Sequence, residues 1–255
     1  MPSISLQQDI VYGPVLSRRL GRSFGINLLS KEYKICSFDC VYCEYGKTIK
    51  QTMSPVPDDL PDVPEILRAV EKSLRKPHSM DRLTFSGNGE PTLYPYFLEV
   101  VSGVKKLRDE LRPNVKLAVL SNSSRVMDDE IIEALSLLDA PMMKLDAGDM
   151  VTFKKLNRPV NSLKFEDILE GLSSVKNLII QTILIKGEVS NIKRYAFEQL
   201  ATTLSNLNPK EVHLYSVERP TEKEWVVALS PQELQCIKED LQYRFGLAVK
   251  AFWRE

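Results

Sequence analysis

The chain has 255 residues, 43% of them hydrophobic and 27% charged, an ordinary globular composition and enough length to bury one large core. Its 34 basic residues balance 34 acidic ones, so the molecule as a whole lacks the electrostatic footprint of a general nucleic-acid binder. No run of about eighteen apolar residues is present to span a membrane. The opening MPSISLQQDIVYG has neither the cationic start nor the apolar stretch of a secretory signal, which predicts a cytoplasmic protein with reduced thiols.

In chain order, the first feature is a local excess of positive charge. Between Val11 and Lys50 lie Arg18, Arg19, Arg22, Lys31, Lys34, Lys47 and Lys50 against Glu32, Asp39 and Glu44, a place where an anionic partner could meet the protein, or simply a solvated face. GINLL (25–29) is the first strand candidate, and CSFDCVYCEYG (36–46) follows it. RLTFS (82–86) is the second strand and runs straight into SGNGEPT (86–92). Phe97, Val100, Val101, Val104, Leu107 and Leu111 keep the three-and-four spacing of one apolar helix face. KLAVL (116–120) leads to SNSS (121–124), and MMKLD (142–146) ends in Lys144 and Asp146. A second helix face is spelled by Phe165, Ile168, Leu169, Leu172 and Val175. LIIQTILI (178–185) and VHLYSV (212–217) are further strands. Ser230, Pro231 and Glu233 make a capping box that opens a helix to about Phe245, with Gly246 to end it, and LAVKAFW (247–253) is a last strand.

Strands separated by room for one helix each predict an α/β fold with a parallel sheet. Six βα units are too few for a closed eight-unit barrel, so the expected architecture is a partial (β/α)6 barrel with a curved parallel sheet. No internal repeat or long linker divides it, and residues 1–255 read as one domain. In such folds functional residues gather where strands run into helices. The cysteine stretch, SGNGEPT, SNSS, Lys144 and Asp146 all follow strands and so fall on one rim.

Cys36, Cys40 and Cys43 stand in a CxxxCxxC pattern, with Cys236 far away. Structural zinc wants four ligands in a closed shell, and the triad offers three. Cys236 adjoins the apolar row Leu234, Ile237 and Leu241, so a buried thiol is the expectation for it. A [4Fe–4S] cube has four irons, and three cysteines would leave one iron open to an exogenous chelator. His78 and His213 are expected in core or surface roles, and Trp225 and Trp253 in packing.

The triad, with aromatic Tyr42 just before its last member, resembles the signature of the radical S-adenosylmethionine (SAM) superfamily. Gly87-Asn88-Gly89-Glu90-Pro91 resembles that superfamily's second, glycine-rich motif. The resemblance implies a [4Fe–4S] cluster on Cys36, Cys40 and Cys43, with SAM on the fourth iron. It also implies cleavage of SAM to methionine and a 5′-deoxyadenosyl radical that abstracts a substrate hydrogen, driven by an electron donor such as flavodoxin or ferredoxin. Carried over motif by motif, Glu90 accepts a hydrogen bond from SAM's amino group, and Gly87 and Gly89 permit close backbone approach. Asn88 stands where glycine is more frequent, a place its tolerance of unusual backbone angles suits. Ser121, Asn122, Lys144 and Asp146 contact the methionine carboxylate and ribose, and the backbone at Tyr42 lies near the adenine.

YGPVLSRRLGRSFGINLL (12–29), KLDAGD (144–149) with NRP (157–159), and VERP (217–220) resemble the subgroup of Fe–S oxidoreductases related to the tRNA wyosine-synthesis enzymes. Those enzymes carry a second cluster on upstream cysteines, and Met1 to Ile35 contains none. The expectation is a single-cluster radical SAM enzyme with an unassigned substrate, such as an RNA base. A glycyl-radical activase or peptide modifier, and a metal-stabilised binding module without catalysis, are the alternatives. Arg18, Arg19, Arg22, Arg158 and Arg219 are candidates for contacts to an anionic substrate or to the SAM carboxylate. Gln181 and Tyr215, with Lys144 and Asp146, are candidates to face the cavity, because strands buried on both faces lose the alternation that would settle it.

Overall fold

The computed structural model describes Ile4 to Arg254. β1 (Val11–Ser17) and β2 (Gly21–Ile26) form an antiparallel hairpin, and β3 (Ile35–Cys36) pairs in parallel with β4 (Lys50–Gln51). The chain continues through α1 (Val63–Arg75), β5 (Arg82–Phe85), α2 (Phe97–Leu111), β6 (Lys116–Ser121), α3 (Asp129–Ser136) and β7 (Ala140–Lys144). It ends through α4 (Met150–Asn157), α5 (Phe165–Ser173), β8 (Ile179–Ile183), α6 (Arg194–Leu207), β9 (Glu211–Tyr215), α7 (Pro231–Phe245) and β10 (Val249–Phe252).

Eight strands form one sheet in the order β1-β2-β5-β6-β7-β8-β9-β10, parallel from β2 onward. Each parallel strand lies beside its predecessor after a helical crossover, so the sheet never reverses direction and curls into a half-barrel. That is the partial (β/α)6 architecture expected from the strand spacing. No described helix is long and apolar enough to cross a membrane.

The helices form where the sequence encodes their ends and faces. Phe97, Val100, Val101 and Val104 of α2 are all buried to 1% exposure or less. In α7, Ser230 Oγ accepts the Glu233 N–H while the Glu233 carboxylate accepts the Ser230 N–H, and Gly246 closes the helix in the left-handed conformation. The first strand departs from expectation. It begins four residues earlier than GINLL and stops at Ile26, because the Asn27 side chain bonds Leu29 in place of a neighbouring strand. β1 was hidden by the Gly13-Pro14 pair in its interior. The structure accommodates that pair with a register shift between Tyr12 and Val15 on an edge strand. Val175 belongs to the core but lies beyond the end of α5.

Strand side chains alternate between faces. Leu117, Val119, Met143, Ile180, Val212 and Leu214 join the large core between sheet and helices. Ala118, Ala140, Met142 and Ile179 point the other way, into the curl, where they pack around Leu20 from the β1–β2 turn. These positions lie in the amino-terminal halves of their strands, so Leu20 closes the lower end of the half-barrel. By the same alternation Lys144, Gln181, Ile183 and Tyr215 stand on the inner face above it, which settles their orientation. Leu20 is 6% exposed, and Leu20→Ala should lower unfolding stability by about 2–4 kcal/mol, the cost of a core cavity. Urea denaturation checks this, and a loss under about 1 kcal/mol would show that the plug is not needed.

Candidate active site

The cysteine loop is stitched to the glycine-rich turn by backbone. Ile35 N–H donates to the Asn88 carbonyl at 3.0 Å, and Glu90 N–H donates to the Ile35 carbonyl at 3.1 Å. Gly89 has φ +141°, and a Cβ there would lie 1.6 Å from the Ile35 oxygen. Gly87 has φ +135°, and its Cβ would lie 2.5 Å from Asn27 Oδ1. Close approach is thus required at both glycines, and the groups that approach are the cysteine loop and Asn27. Asn88 differs from its expected part. It is absent from the positive-φ residues, so its backbone tolerance is not used. Its buried amide donates to the Gln7 and Ser30 carbonyls at 2.9 and 2.8 Å and accepts the Gln7 N–H at 2.7 Å, which fastens the amino-terminal segment to the turn.

Each thiol in the loop faces one nitrogen donor. Asn122 Nδ2 lies 3.5 Å from Cys36 Sγ, Asn157 Nδ2 3.6 Å from Cys40 Sγ, and Lys34 Nζ 3.1 Å from Cys43 Sγ. Cys36 and Cys40 are buried and Cys43 half-buried. Burial pushes the Cys36 thiol up and the Cys40 thiol up to about 11, the charges of Lys34 and Lys144 opposing it. Buried thiolates therefore need compensation, from a metal and from these donors. The Lys34 ammonium is disfavoured by its burial, yet the three thiols outweigh this and its pKa is raised. Cys236 is exposed on α7, which corrects the expectation of a buried thiol. Among the described residues the four thiols do not gather as the ligands of a single ion. Three sulfurs on one loop, each with its own donor, fit a multi-iron cluster.

The end of α4 holds the loop from behind. Val41 N–H donates to the Leu156 carbonyl, Asp39 N–H to Asn157 and Arg158, and Val160 N–H to Ser37, at 2.9–3.1 Å. Arg158 caps α4 in the left-handed region at φ 45°. Asn157 Nδ2 also reaches Tyr42 Oη at 2.6 Å and Asp146 Oδ2 at 2.9 Å. Tyr42 donates its hydroxyl to Asp146 Oδ2, and Asp146 Oδ1 accepts the Ile183 N–H at 2.9 Å with Lys144 Nζ 3.5 Å away. Asp146 is thereby a fully satisfied buried carboxylate. Burial works against the charge of Lys144, but Asp146 and Tyr215 outweigh it and hold its pKa above the usual range. From the other side, Glu222 and Lys223 N–H groups donate to the Cys43 and Val41 carbonyls at 3.2 and 3.1 Å. The NRP stretch and the residues just after VERP thus serve the cysteine loop.

Glu90 is 2% exposed. Its Oε1 accepts from Thr92 N and Oγ1 at 3.0 and 2.7 Å, and its Oε2 from Asn122 N at 2.5 Å. Burial raises its pKa, and the bonds from Thr92, Asn122 and Ser121 only partly offset this. Asn122 therefore touches both motifs, its backbone on Glu90 and its side chain on Cys36 and on Ser37 Oγ at 2.8 Å. Ser121 Oγ accepts the Ser123 N–H at 3.0 Å.

A cavity of about 540 Å³ opens beside the loop, walled by Tyr42, Cys43, Lys144, Tyr215, Arg19 and Arg219 among others. Arg18 pairs with Glu218, and Arg219 with Glu44 at 3.1 Å. Arg22 lies away from this cavity, 3.6 Å from Asp81. The histidines take the structural roles expected. His78 stacks on Phe24 at 4.4 Å, and His213 meets Glu211 at 2.9 Å beside Phe252. Trp225 and Trp253 pack against the main core. Sequence reasoning counted Lys34 only among the seven cations of the basic stretch and did not single out Asn27. The signal for Lys34 was a lysine between the aromatic and aliphatic residues of YKIC, and Asn27 was the one polar residue within a strand run.

The radical SAM superfamily matches residues 33–194. A UPF0026 protein of Helicobacter pylori is 33% identical over 223 residues, 83% of this chain and 67% of that protein. The structure of TYW1 with a lysine–pyruvate adduct bound superposes with a TM-score of 0.61 at 17% identity, over 87% of this chain and 73% of that one. Streptococcus suis SuiB bound to S-adenosylmethionine superposes with a TM-score of 0.61 at 12% identity, over 89% of this chain and 50% of that one.

Gly89→Ala should part the cysteine loop from the turn, since the new methyl would sit 1.6 Å from a backbone oxygen. Iron per chain after anaerobic reconstitution should fall at least about threefold while far-UV circular dichroism keeps its α/β signature. Cys236→Ser should leave iron content unchanged, and a loss of iron in that variant would return Cys236 to the ligand set.

Proposed function

Because this chain belongs to the radical SAM superfamily, and is an enzyme of that class with a [4Fe–4S] cluster and SAM as cofactors, we propose that Cys36, Cys40 and Cys43 hold the cluster and that the rim from Gly87 through Asn122 to Asp146 holds SAM. Held there, the cluster and SAM would supply reductive cleavage of SAM, with one electron from a small donor such as flavodoxin or ferredoxin, for abstraction of a substrate hydrogen.

The observation that carries this reading is the pairing of one nitrogen donor with each of three clustered sulfurs, directly beside a buried glutamate. Hydrogen bonds to cluster sulfurs tune reduction potential and stabilise their negative charge. Burial raises the Glu90 pKa and its neighbours only partly offset this, so the ammonium of bound SAM would supply the positive charge that favours its carboxylate. Lys144, fixed between Asp146 and Tyr215, is placed for the methionine carboxylate. Tyr42 offers backbone to the adenine, while its side chain braces Asp146.

The substrate occupies the 540 Å³ cavity that Tyr42 and Cys43 line, a volume in the usual range for small-molecule sites. The likeness of the 12–29, NRP and VERP stretches to wyosine-synthesis enzymes supports an RNA base as the substrate class. The site belongs to the cytoplasm, where its thiols stay reduced.

Anaerobically reconstituted protein, reduced with dithionite and given SAM, should release 5′-deoxyadenosine. Cys40→Ala should abolish release with the fold retained. Glu90→Ala should raise the SAM dissociation constant at least about tenfold, a loss of about 1.4 kcal/mol, with iron content preserved. No 5′-deoxyadenosine from a protein with full iron would refute the reading, and equal SAM affinity in Glu90→Ala would refute the part given to Glu90.

A further inference from the structure

The cavity beside Cys43 contains more cations than it neutralises. Arg18 meets Glu218, Arg219 meets Glu44, and Lys144 lies beside Asp146. Arg19 differs: among the described residues its guanidinium, like that of exposed Arg254 on the same wall, touches no carboxylate, but Arg19 is held in place by other partners. Nη1 donates to Gln181 Oε1 at 3.1 Å, and the guanidinium carbon sits 4.2 Å above the centre of the Tyr215 ring. Both partners are themselves held. Gln181 is buried and donates through Nε2 to the Met142 carbonyl at 3.0 Å, and the Tyr215 hydroxyl accepts from Lys144 at 2.8 Å.

A neutral amide and an aromatic face fix the plane of the guanidinium without cancelling its charge. One of its five N–H donors is spent on Gln181, and a planar fork held in place presents the others as a ready pair for two oxygens. The backbone is fixed as well. Arg19 immediately precedes Leu20, whose side chain plugs the lower half-barrel, so the arginine enters the cavity from a turn that packing has immobilised.

Resting on the reading of this cavity as the substrate chamber of a radical SAM enzyme, we propose that Arg19 binds an anionic group of the substrate, a carboxylate or a phosphate group. The anion on Arg19 leaves the rest of the substrate in the cavity that Tyr42 and Cys43 also wall. Arg19 confers specificity for a charged substrate and takes no part in binding SAM.

The test uses enzyme reconstituted with its cluster and saturated with SAM, after a separate titration has measured SAM affinity. Calorimetry follows inorganic phosphate in one arm and pyruvate, as a small carboxylate, in the other, for native, Arg19→Gln and Arg19→Lys proteins. At least one anion should bind native enzyme in the millimolar range or tighter. Arg19→Gln should weaken it at least about tenfold and Arg19→Lys less, because lysine keeps the charge but loses the fork. SAM affinity should stay within about twofold in both. Binding of phosphate alone assigns a phosphate group, and of pyruvate alone a carboxylate. Native enzyme that binds neither anion, or variants that bind as well as native, overturns the proposal. So does an Arg19→Gln protein that loses SAM together with the anion, which would place Arg19 on the cofactor. Native protein that binds no SAM in the first titration defeats the underlying reading instead, a result distinct from any of these.

Discussion

The site depends on two backbone hydrogen bonds, Ile35 to Asn88 and Glu90 to Ile35, which join the cysteine loop to the glycine-rich turn. A barrel strand alone would not hold such a loop, because Asn27 ends β2 and the chain leaves the sheet nine residues before Cys36. The junction restores order by giving the loop a new strand partner. Its condition is steric: the Ile35 oxygen occupies the space where any side chain on Gly89 would begin. Glycine is needed there by the neighbouring backbone before any ligand is considered. The same junction sets Cys36 beside Glu90, so a metal-ligand motif and a ligand-binding motif separated by fifty residues become one surface.

Two further fastenings make that surface rigid. The carbonyls at the end of α4 accept from Asp39 and Val41, and the residues after VERP donate to Val41 and Cys43. The loop is thus held by three separate parts of the chain, each engaging its backbone and leaving its sulfurs to side chains. The donors to those sulfurs differ in kind. Asn122 and Asn157 contribute neutral amides to the two buried thiols, whereas Lys34 contributes a full charge to the half-buried one. Neutral dipoles add no desolvated charge of their own, whereas the buried Lys34 ammonium has its desolvation outweighed by the three thiols around it. The sum is a pocket prepared for negative sulfur, preorganised in the way outer ligands orient a metal centre.

The parts of this arrangement legible in the sequence were those encoded locally. The CxxxCxxC spacing, SGNGEPT, the α7 capping box and the α2 apolar face are all readable from neighbours in the chain, and they placed the rim correctly at the strand ends. What was not legible depends on contacts across long separations. Asn157 lies 117 residues from Cys40, and nothing in NRP alone says that its amide will meet a sulfur. Lys34 reads as a surface cation until the fold buries it to 4% exposure. β1 carries Gly-Pro where a strand should not, and only its edge position reconciles it with the sheet. Cys236 went wrong for a related reason. It stands between Leu234 and Ile237 in sequence, yet on a helix adjacent positions point about 100° apart, and its own direction faces solvent.

The location of the cavity follows from how the half-barrel is filled. A closed barrel packs its centre with layers of side chains and leaves no room within. Here the sheet ends at β10 without meeting β1, and the interior is filled from one end only. The β1–β2 turn inserts Leu20 among small and medium side chains from β6, β7 and β8, which closes the lower layer. Above it the inner residues change character to Gln181, held by Arg19 and the Met142 carbonyl, and to Tyr215 and Lys144, which bond each other, long polar groups that leave space between them. The hollow therefore survives only at the end where the strands run out, and that is the end occupied by the cysteine loop. An apolar plug at one end and a stitched loop at the other are enough to put a polar-walled space against the cysteine loop at Cys43.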